Sequence, residues 1–257
     1  MNYEKKIKLI VDFRKKLKRK KPIIGGWMQL CSSDVAEILC QKQYDTITLD
    51  FEHGSFELNK LNEIFRVIEM HKKIPLVRLA NHDVKNLGQI FDSGCSGLII
   101  PNVKKSKDLE KIIEHSCWPP KGKRGVGFSR SNMYGRFFNK HKDTAQKPIL
   151  IAMIEDISAI KNLDKILTVK SLDSILIGPY DLSASLGRPG KFNNKDFKTA
   201  IKTIKNKCKI KKMPIGIHIV EPSKKKLQQK IKEGYQFIPY SLDTVLLNKS
   251  LDNSFGN

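Results

Sequence analysis

The sequence is poor in paired cysteine, in arginine, in acidic residues and in long apolar runs. Its five cysteines, Cys31, Cys40, Cys95, Cys117 and Cys208, are odd in number and form no Cys-x-x-Cys. That argues against a disulfide framework and against a thiolate metal site, and leaves small buried or half-buried residues. No apolar run approaches the roughly 20 residues that cross a bilayer. The amino end, Met1-Asn-Tyr-Glu-Lys-Lys, lacks the apolar core of a signal peptide, so a cytoplasmic location with no membrane partner is expected. Acidic residues number 26 against 48 basic ones, a formal charge of +22. Only eight of those 48 are arginine, and the lysines are spread over nearly every helical segment. Base readout favours arginine and aromatic platforms, so the charge reads as solvated helix faces and not as a nucleic-acid surface. The densest basic cluster, Arg14 to Lys21, reads as the end of an exposed amino-terminal helix, where cations suit the dipole. Contact with an acidic partner is the other reading.

What is present is alternation. The 257 residues, 40% of them hydrophobic, suit one large α/β domain. Residues 3–17 carry apolar side chains at helical spacing and stop at Pro22. Eight strand-like runs follow, at 23–30, 46–52, 74–80, 97–103, 149–155, 174–180, 214–220 and 235–242. Helix-like segments separate them, at 35–42, 58–73, 83–93, 107–117, 158–167, 195–212 and 223–233, with 243–251 after the last. Asp83, Ser106 and Ser223 suit N-caps, and Gly94 and Gly234 suit helix stops. Most of the runs are short and dense in Ile, Leu and Val, as parallel strands buried on both faces require. The expectation is a (β/α)8 TIM barrel with an extra N-terminal helix: residues 1–21 the basic helix and 22–257 the barrel, one domain over 1–257. An open doubly wound sheet is the alternative, weakened because no Gly-x-Gly-x-x-Gly follows the first run. The connection 119–136 is long, and its glycines and three arginines suit either an anion site or a plain surface loop.

In such a barrel the carboxyl ends of the strands converge on one mouth. The second run ends in Asp50-Phe-Glu52-His53, the third near Arg78 and the fifth in Glu155; the sixth runs into Asp181, and the seventh carries His218. Ile149, Ile151, Met153 and Glu155 share one strand face, so Glu155 ends an apolar strand and needs a partner. A salt bridge answers that need, and so does a divalent metal shared with Asp181, since two oxygen ligands plus waters suit Mg2+ or Mn2+. Asp181 also suits a helix cap. Asp50 beside His53 suits a general base held by a carboxylate, or a loop histidine with a structural partner. Arg78 ends an apolar strand and calls for a carboxylate or oxyanion. His218 reads as a packed or pocket-lining histidine.

These residues resemble a known family. Leu49-Asp50-Phe51-Glu52-His53, Val77-Arg78, Ile154-Glu155 and Gly178-Pro179-Tyr180-Asp181-Leu-Ser-Ala-Ser-Leu-Gly187 resemble the HpcH/HpaI family of metal-dependent pyruvate aldolases. The resemblance extends to Gly26-Trp27, Phe91-Asp92-Ser-Gly94, Arg124-Gly-Val-Gly127 and Tyr240-Ser-Leu-Asp243-Thr244, and covers about residues 22–250. It implies a carbon–carbon lyase on a (β/α)8 barrel that splits a 4-hydroxy-2-oxo acid into pyruvate and an aldehyde through a metal-stabilised pyruvate enolate. Carried over, Glu155 and Asp181 hold a divalent metal, Mg2+ or Mn2+ with Co2+ also open. Arg78 faces the keto oxygen, and His53 paired with Asp50 handles the 4-hydroxyl proton. Backbone amides near Tyr180 and Asp181 hold the pyruvate carboxylate. Trp27, Gly178, Pro179, Tyr180, Met153 and His218 form the substrate-binding set. Asp92 approaches a neighbouring subunit's site, because the family assembles as dimers and hexamers with an exchanged last helix. A Schiff-base lysine is the other route to an enolate. The fifth, sixth and seventh runs carry none, and Lys104 alone lies just past a strand end, after the fourth. The sequence departs from the pattern in three places: Phe51 stands where the family has glycine, Met153 where it has glutamine, and His218 where it has an apolar residue, which suggests a more polar acceptor. Two other readings compete. One is a citramalyl- or malyl-CoA lyase, against which the short chain and intact Asp-x-Glu-His run argue. The other is a basic binding protein on a barrel scaffold, which has no need of all five polar groups.

Overall fold

Short runs of Ile, Leu and Val, each stopped by glycine, proline or a charged residue, fold as eight parallel strands in the computed structural model, which describes residues 2–256. The strands are β1 (Ile23–Met28), β2 (Thr46–Asp50), β3 (Ile74–Arg78), β4 (Gly97–Ile100), β5 (Ile149–Ile154), β6 (Ser174–Ile177), β7 (Ile215–Ile217) and β8 (Phe237–Pro239). They close into a barrel in chain order, with Ile23 of β1 opposite Phe237 of β8. Closure leaves no exposed sheet edge.

The eight expected runs are all strands, but each extends too far at the carboxyl end. The sixth stops at Ile177 because Pro179 opens a helix, Pro179–Ser185, at its first position. Proline suits that position, having a fixed φ and no N–H to lose. Ser223 caps the helix Lys224–Lys232 as expected, accepting from the Lys226 N–H at 3.2 Å. Asp83 does not cap a helix, because the next one begins only at Leu87, and Ser106 is the first helical residue and not its cap. Gly94 and Gly234 end helices at φ +112° and +86°, where a side chain would be strained. The helix Phe138–Thr144, just after the long connection, is not signalled by periodicity.

Alternation along the strands divides the core. Ile23 and Trp27, Ile74 and Leu76, Ile149, Ile151 and Met153, Leu176 and Phe237 form one cluster inside the barrel. The intervening residues, such as Ile47, Leu49, Val77, Leu150, Ile175 and Ile217, face the surrounding helices. The amino-terminal helix, Tyr3–Lys18, is not merely an exposed basic segment. Its Phe13 and Leu17 join the inner cluster, and the Phe13 and Phe237 rings lie 6.2 Å apart. Gln236, just before β8, donates to the Leu17 carbonyl at 2.5 Å. This helix therefore seals the amino end of the barrel. One turn from its start, buried Lys6 meets Glu69 at 2.7 Å, and Glu69 also binds Arg130 of the long connection.

Candidate active site

The same inward parity that packs the barrel brings polar groups to its carboxyl end. On β2, Thr46, Thr48 and Asp50 share the inner face; on β3, Ile74, Leu76 and Arg78 do. Asp50 and Arg78 are direct register partners, so their side chains meet. Arg78 Nε donates to Asp50 Oδ1 at 2.7 Å and Nη2 to Oδ2 at 2.5 Å, a bidentate pair. Its remaining Nη1 lies 2.7 Å from Glu52 Oε2. Asp50 is fully buried and Arg78 is 6% exposed. Burial opposes both charges, yet the pair overrides it: Asp50 is held below the usual carboxylate range and Arg78 above its ordinary value. Burial raises the Glu52 pKa, against the opposing pull of Arg78 and His53.

The expected pairing of Asp50 with the His53 ring is corrected here. Besides Arg78, Asp50 accepts from Trp27 Nε1 at 3.2 Å and Gln29 Nε2 at 3.4 Å. Its link to His53 is through the backbone N–H at 3.2 Å. The physical reason is position: Asp50 ends a strand with its side chain turned inward, whereas His53 lies on the following turn with its side chain exposed. Glu52 was passed over as a site residue. Period two would have found it, since Glu52 shares the Asp50 face while Phe51 turns outward onto Phe56 at 5.7 Å between ring centroids.

Across the mouth, Glu155 follows β5. Its Oε1 accepts from the Asn102 N–H at 2.5 Å, at the end of β4. Its Oε2 is buried and, among the described residues, has no hydrogen-bond partner. Gly178 faces it, and a Cβ there would stand 2.5 Å from Oε2, so glycine keeps that space open. Burial pushes Glu155 up to about 7; the Asn102 N–H pulls it down, and the charges of Asp181 and Glu52 add to the rise. Asp181 lies in the first turn of the helix Pro179–Ser185, whose cap position is Gly178, so Asp181 is not the cap. It stands close enough to Glu155 for its charge to be felt there. Among the described residues no cluster of three or more His, Cys, Asp or Glu could hold a metal. The two carboxylates, with Glu155 Oε2 unpartnered, suit a hard cation that takes its ligands from oxygen.

Trp27, 1% exposed, forms the inner wall. The Arg78 guanidinium lies 5.1 Å over its ring, and the His218 ring is 4.5 Å away, centroid to centroid. Met153 is buried one layer beneath Glu155, against Gly178. Tyr180 is exposed at the rim and packs edge-on against Phe192. Lys104 is half-exposed and lies 3.3 Å from Asp156. Of the three arginines in the long connection, Arg136 is exposed over the Phe137 ring and the other two are engaged within the fold. Arg124 is buried between Phe91 and Trp118, at 4.8 and 5.6 Å, and Arg130 is bound to Glu69 and to the Ser93 carbonyl. Asp92, half-buried beside Arg124, has its pKa raised by burial.

A closed (β/α)8 barrel with paired carboxylates and a clamped arginine at the carboxyl ends of its strands defines an enzyme working on a small oxygenated substrate. Comparison with known proteins makes this specific. Residues 24–250 match the sequence profile of the HpcH/HpaI aldolase/citrate lyase family, and the chain belongs to that family of carbon–carbon lyases. A 2-keto-3-deoxy-L-rhamnonate aldolase from Escherichia coli O17:K52:H18 is 29% identical over 242 residues, covering 93% of this chain and 90% of that protein. The crystal structure of an HpcH/HpaI aldolase/citrate lyase family protein from Burkholderia cenocepacia shares the fold at a TM-score of 0.88, with 24% identity and 95% and 98% of the two chains covered. That of an HpcH/HpaI aldolase from Desulfitobacterium hafniense gives 0.85, with 22% identity and 94% of each chain covered. No helix among the described residues is long and apolar enough to cross a membrane.

Proposed function

We propose that this protein cleaves a 4-hydroxy-2-oxo acid into pyruvate and an aldehyde, with a divalent cation held by Glu155 and Asp181. The observation that carries the reading is the unpartnered, buried Oε2 of Glu155 beside the charge of Asp181, in a space that Gly178 keeps clear. Two carboxylates set together without a compensating proton or cation are unfavourable. A cation held there would supply positive charge to offset the negative charge growing on the substrate. Arg78, fixed by Asp50 and Glu52, presents rigid donors to the oxygen on which negative charge grows as the carbon–carbon bond breaks. His53, on the turn after β2, takes the 4-hydroxyl proton as that bond breaks. The first-turn N–H groups of Tyr180 and Asp181 hold the pyruvate carboxylate. Trp27, Gly178, Pro179, Met153 and His218 shape the rest of the pocket, and Asp92 reaches a neighbouring copy in a homo-oligomer. A Schiff-base route draws no support from Lys104, which is half-exposed and engaged with Asp156.

Pyruvate release from a panel of 4-hydroxy-2-oxo acids tests this. Chelator should abolish release, and added Mg2+ or Mn2+ should restore it. Turnover that persists in chelator, with an adduct trapped by borohydride, would sink the metal reading in favour of a lysine.

A further inference from the structure

His218 is the polar group in the mouth to which the chemistry above gives no step. It follows β7 directly, its backbone N–H donating to Ile177 of β6 at 3.2 Å, and by alternation it faces inward with Gly216. Its ring rests on Trp27, the same indole that binds Asp50 and underlies Arg78. It is 9% exposed, and among the described residues its Nε2 has no hydrogen-bond partner. The Ser241 backbone acts as a hydrogen-bond acceptor toward the ring, which works to raise its pKa. The Ser241 hydroxyl is itself buried and unpartnered, on a residue held at φ +63°. A buried polar atom without a partner costs about 1–3 kcal/mol. A wall built for packing alone avoids that cost with leucine.

We propose that His218 is a specificity-determining residue whose Nε2 hydrogen-bonds a hydroxyl on the part of the substrate that leaves as the aldehyde, so that a hydroxylated acceptor is preferred to its deoxy analogue. This rests on the aldol-cleavage reading. Two arguments select a hydroxyl over the alternatives. A carboxylate needs a cation, and under the proposed chemistry the N–H groups that Asp50 and Glu52 leave free on Arg78 are spent on the keto oxygen. The imidazole does not replace it: burial, and then the Arg78 charge, depress the His218 pKa to about 4, leaving the ring neutral near pH 7. An alkyl chain, in turn, leaves Nε2 unpaired. A hydroxyl both donates and accepts, so it satisfies Nε2 in either tautomer. A site built to bond a hydroxyl discriminates against the analogue that lacks it.

The test condenses pyruvate with lactaldehyde and with propanal, which differ by one hydroxyl, and compares kcat/KM for each. The ratio in His218→Leu reports the intrinsic reactivity of the two aldehydes. The expected result is a lactaldehyde-to-propanal ratio at least tenfold higher in the wild-type protein, arising mainly in KM, with His218→Asn recovering part of it. Equal ratios in wild type and His218→Leu overturn the assignment. Succinic semialdehyde, a carboxylate-bearing acceptor, is run on the wild-type protein alone. Its preference over lactaldehyde also overturns the assignment, whether or not any variant folds. Exchange of the pyruvate methyl protons with deuterated solvent is followed on the wild-type protein. Exchange with equal ratios rejects His218 alone, whereas neither exchange nor product from any aldehyde rejects the aldol reading and this assignment together.

Discussion

Arg78 stands among three carboxylates: Asp50 and Glu52 hold it, and Glu155 adds to the field that keeps it charged. Its guanidinium fits both partners at once, and an ammonium cannot. Arg78→Lys should therefore lower kcat/KM by about 100- to 1,000-fold, the usual loss for one preorganised oxyanion donor. Steady-state kinetics measure the loss, and circular dichroism checks that the variant is folded. A variant within about threefold of wild type, less than 1 kcal/mol of barrier, would take Arg78 out of the mechanism. A second prediction concerns His141, buried with Tyr3 Oη 3.0 Å from its Nδ1. Burial, then Arg124 and Lys6, depress its pKa to about 4. The unfolded chain takes up this proton near pH 6.5, while the folded protein refuses it until about 4. Stability should fall as pH drops through that window, by a few kcal/mol at most, since each pKa unit is worth about 1.4 kcal/mol. His141→Gln should flatten the urea-derived stability between pH 6.5 and 5, and an unchanged slope would contradict the account. The polar groups of the candidate site were legible one residue at a time, because an acid, a base and an arginine at strand ends are visible in sequence. Their pairing was not. Asp50 binds Arg78, 28 residues on, because barrel register sets them level, and register is a property of the closed sheet. Its sequence neighbour His53 stands exposed on the following turn.

The elements were legible where composition and period agree. All eight strands were found, because a buried parallel strand is a short run of β-branched and aliphatic residues between breakers. Their carboxyl ends were overextended because the polar residues there look like continuing strand until the neighbouring strand fails to pair with them. The amino-terminal helix was found and its role was not: its lysines suggest exposure, while Tyr3, Phe13 and Leu17 are buried. Lys6 and Arg130 both bind Glu69, joining that helix to the helix Leu61–Met70 and to the long connection. Burial works to raise the Glu69 pKa, yet its two cationic partners hold it below the ordinary value. Glu69→Ala leaves both cations buried without their anion, which typically costs about 3–5 kcal/mol. Thermal unfolding should show a melting temperature several degrees lower, and an unchanged one would mean that the triad contributes nothing net.

At the scale of the whole molecule, the count of alternations predicted closure, and pairing of β8 with β1 is what excludes the open sheet. The inner column is packed from Phe13 and Phe237 at the amino end up to Trp27 and Met153 beneath the mouth. A barrel stoppered in this way is a well with one opening, and traffic through a single opening has an order. Under the proposed chemistry the pyruvate half lies deepest, against Glu155, Asp181 and Arg78, and the aldehyde half lies between it and the entrance. The aldehyde must then depart first and pyruvate last. Pyruvate should inhibit cleavage competitively with substrate and the aldehyde noncompetitively, and the reverse pattern would mean that the substrate lies the other way round in the well.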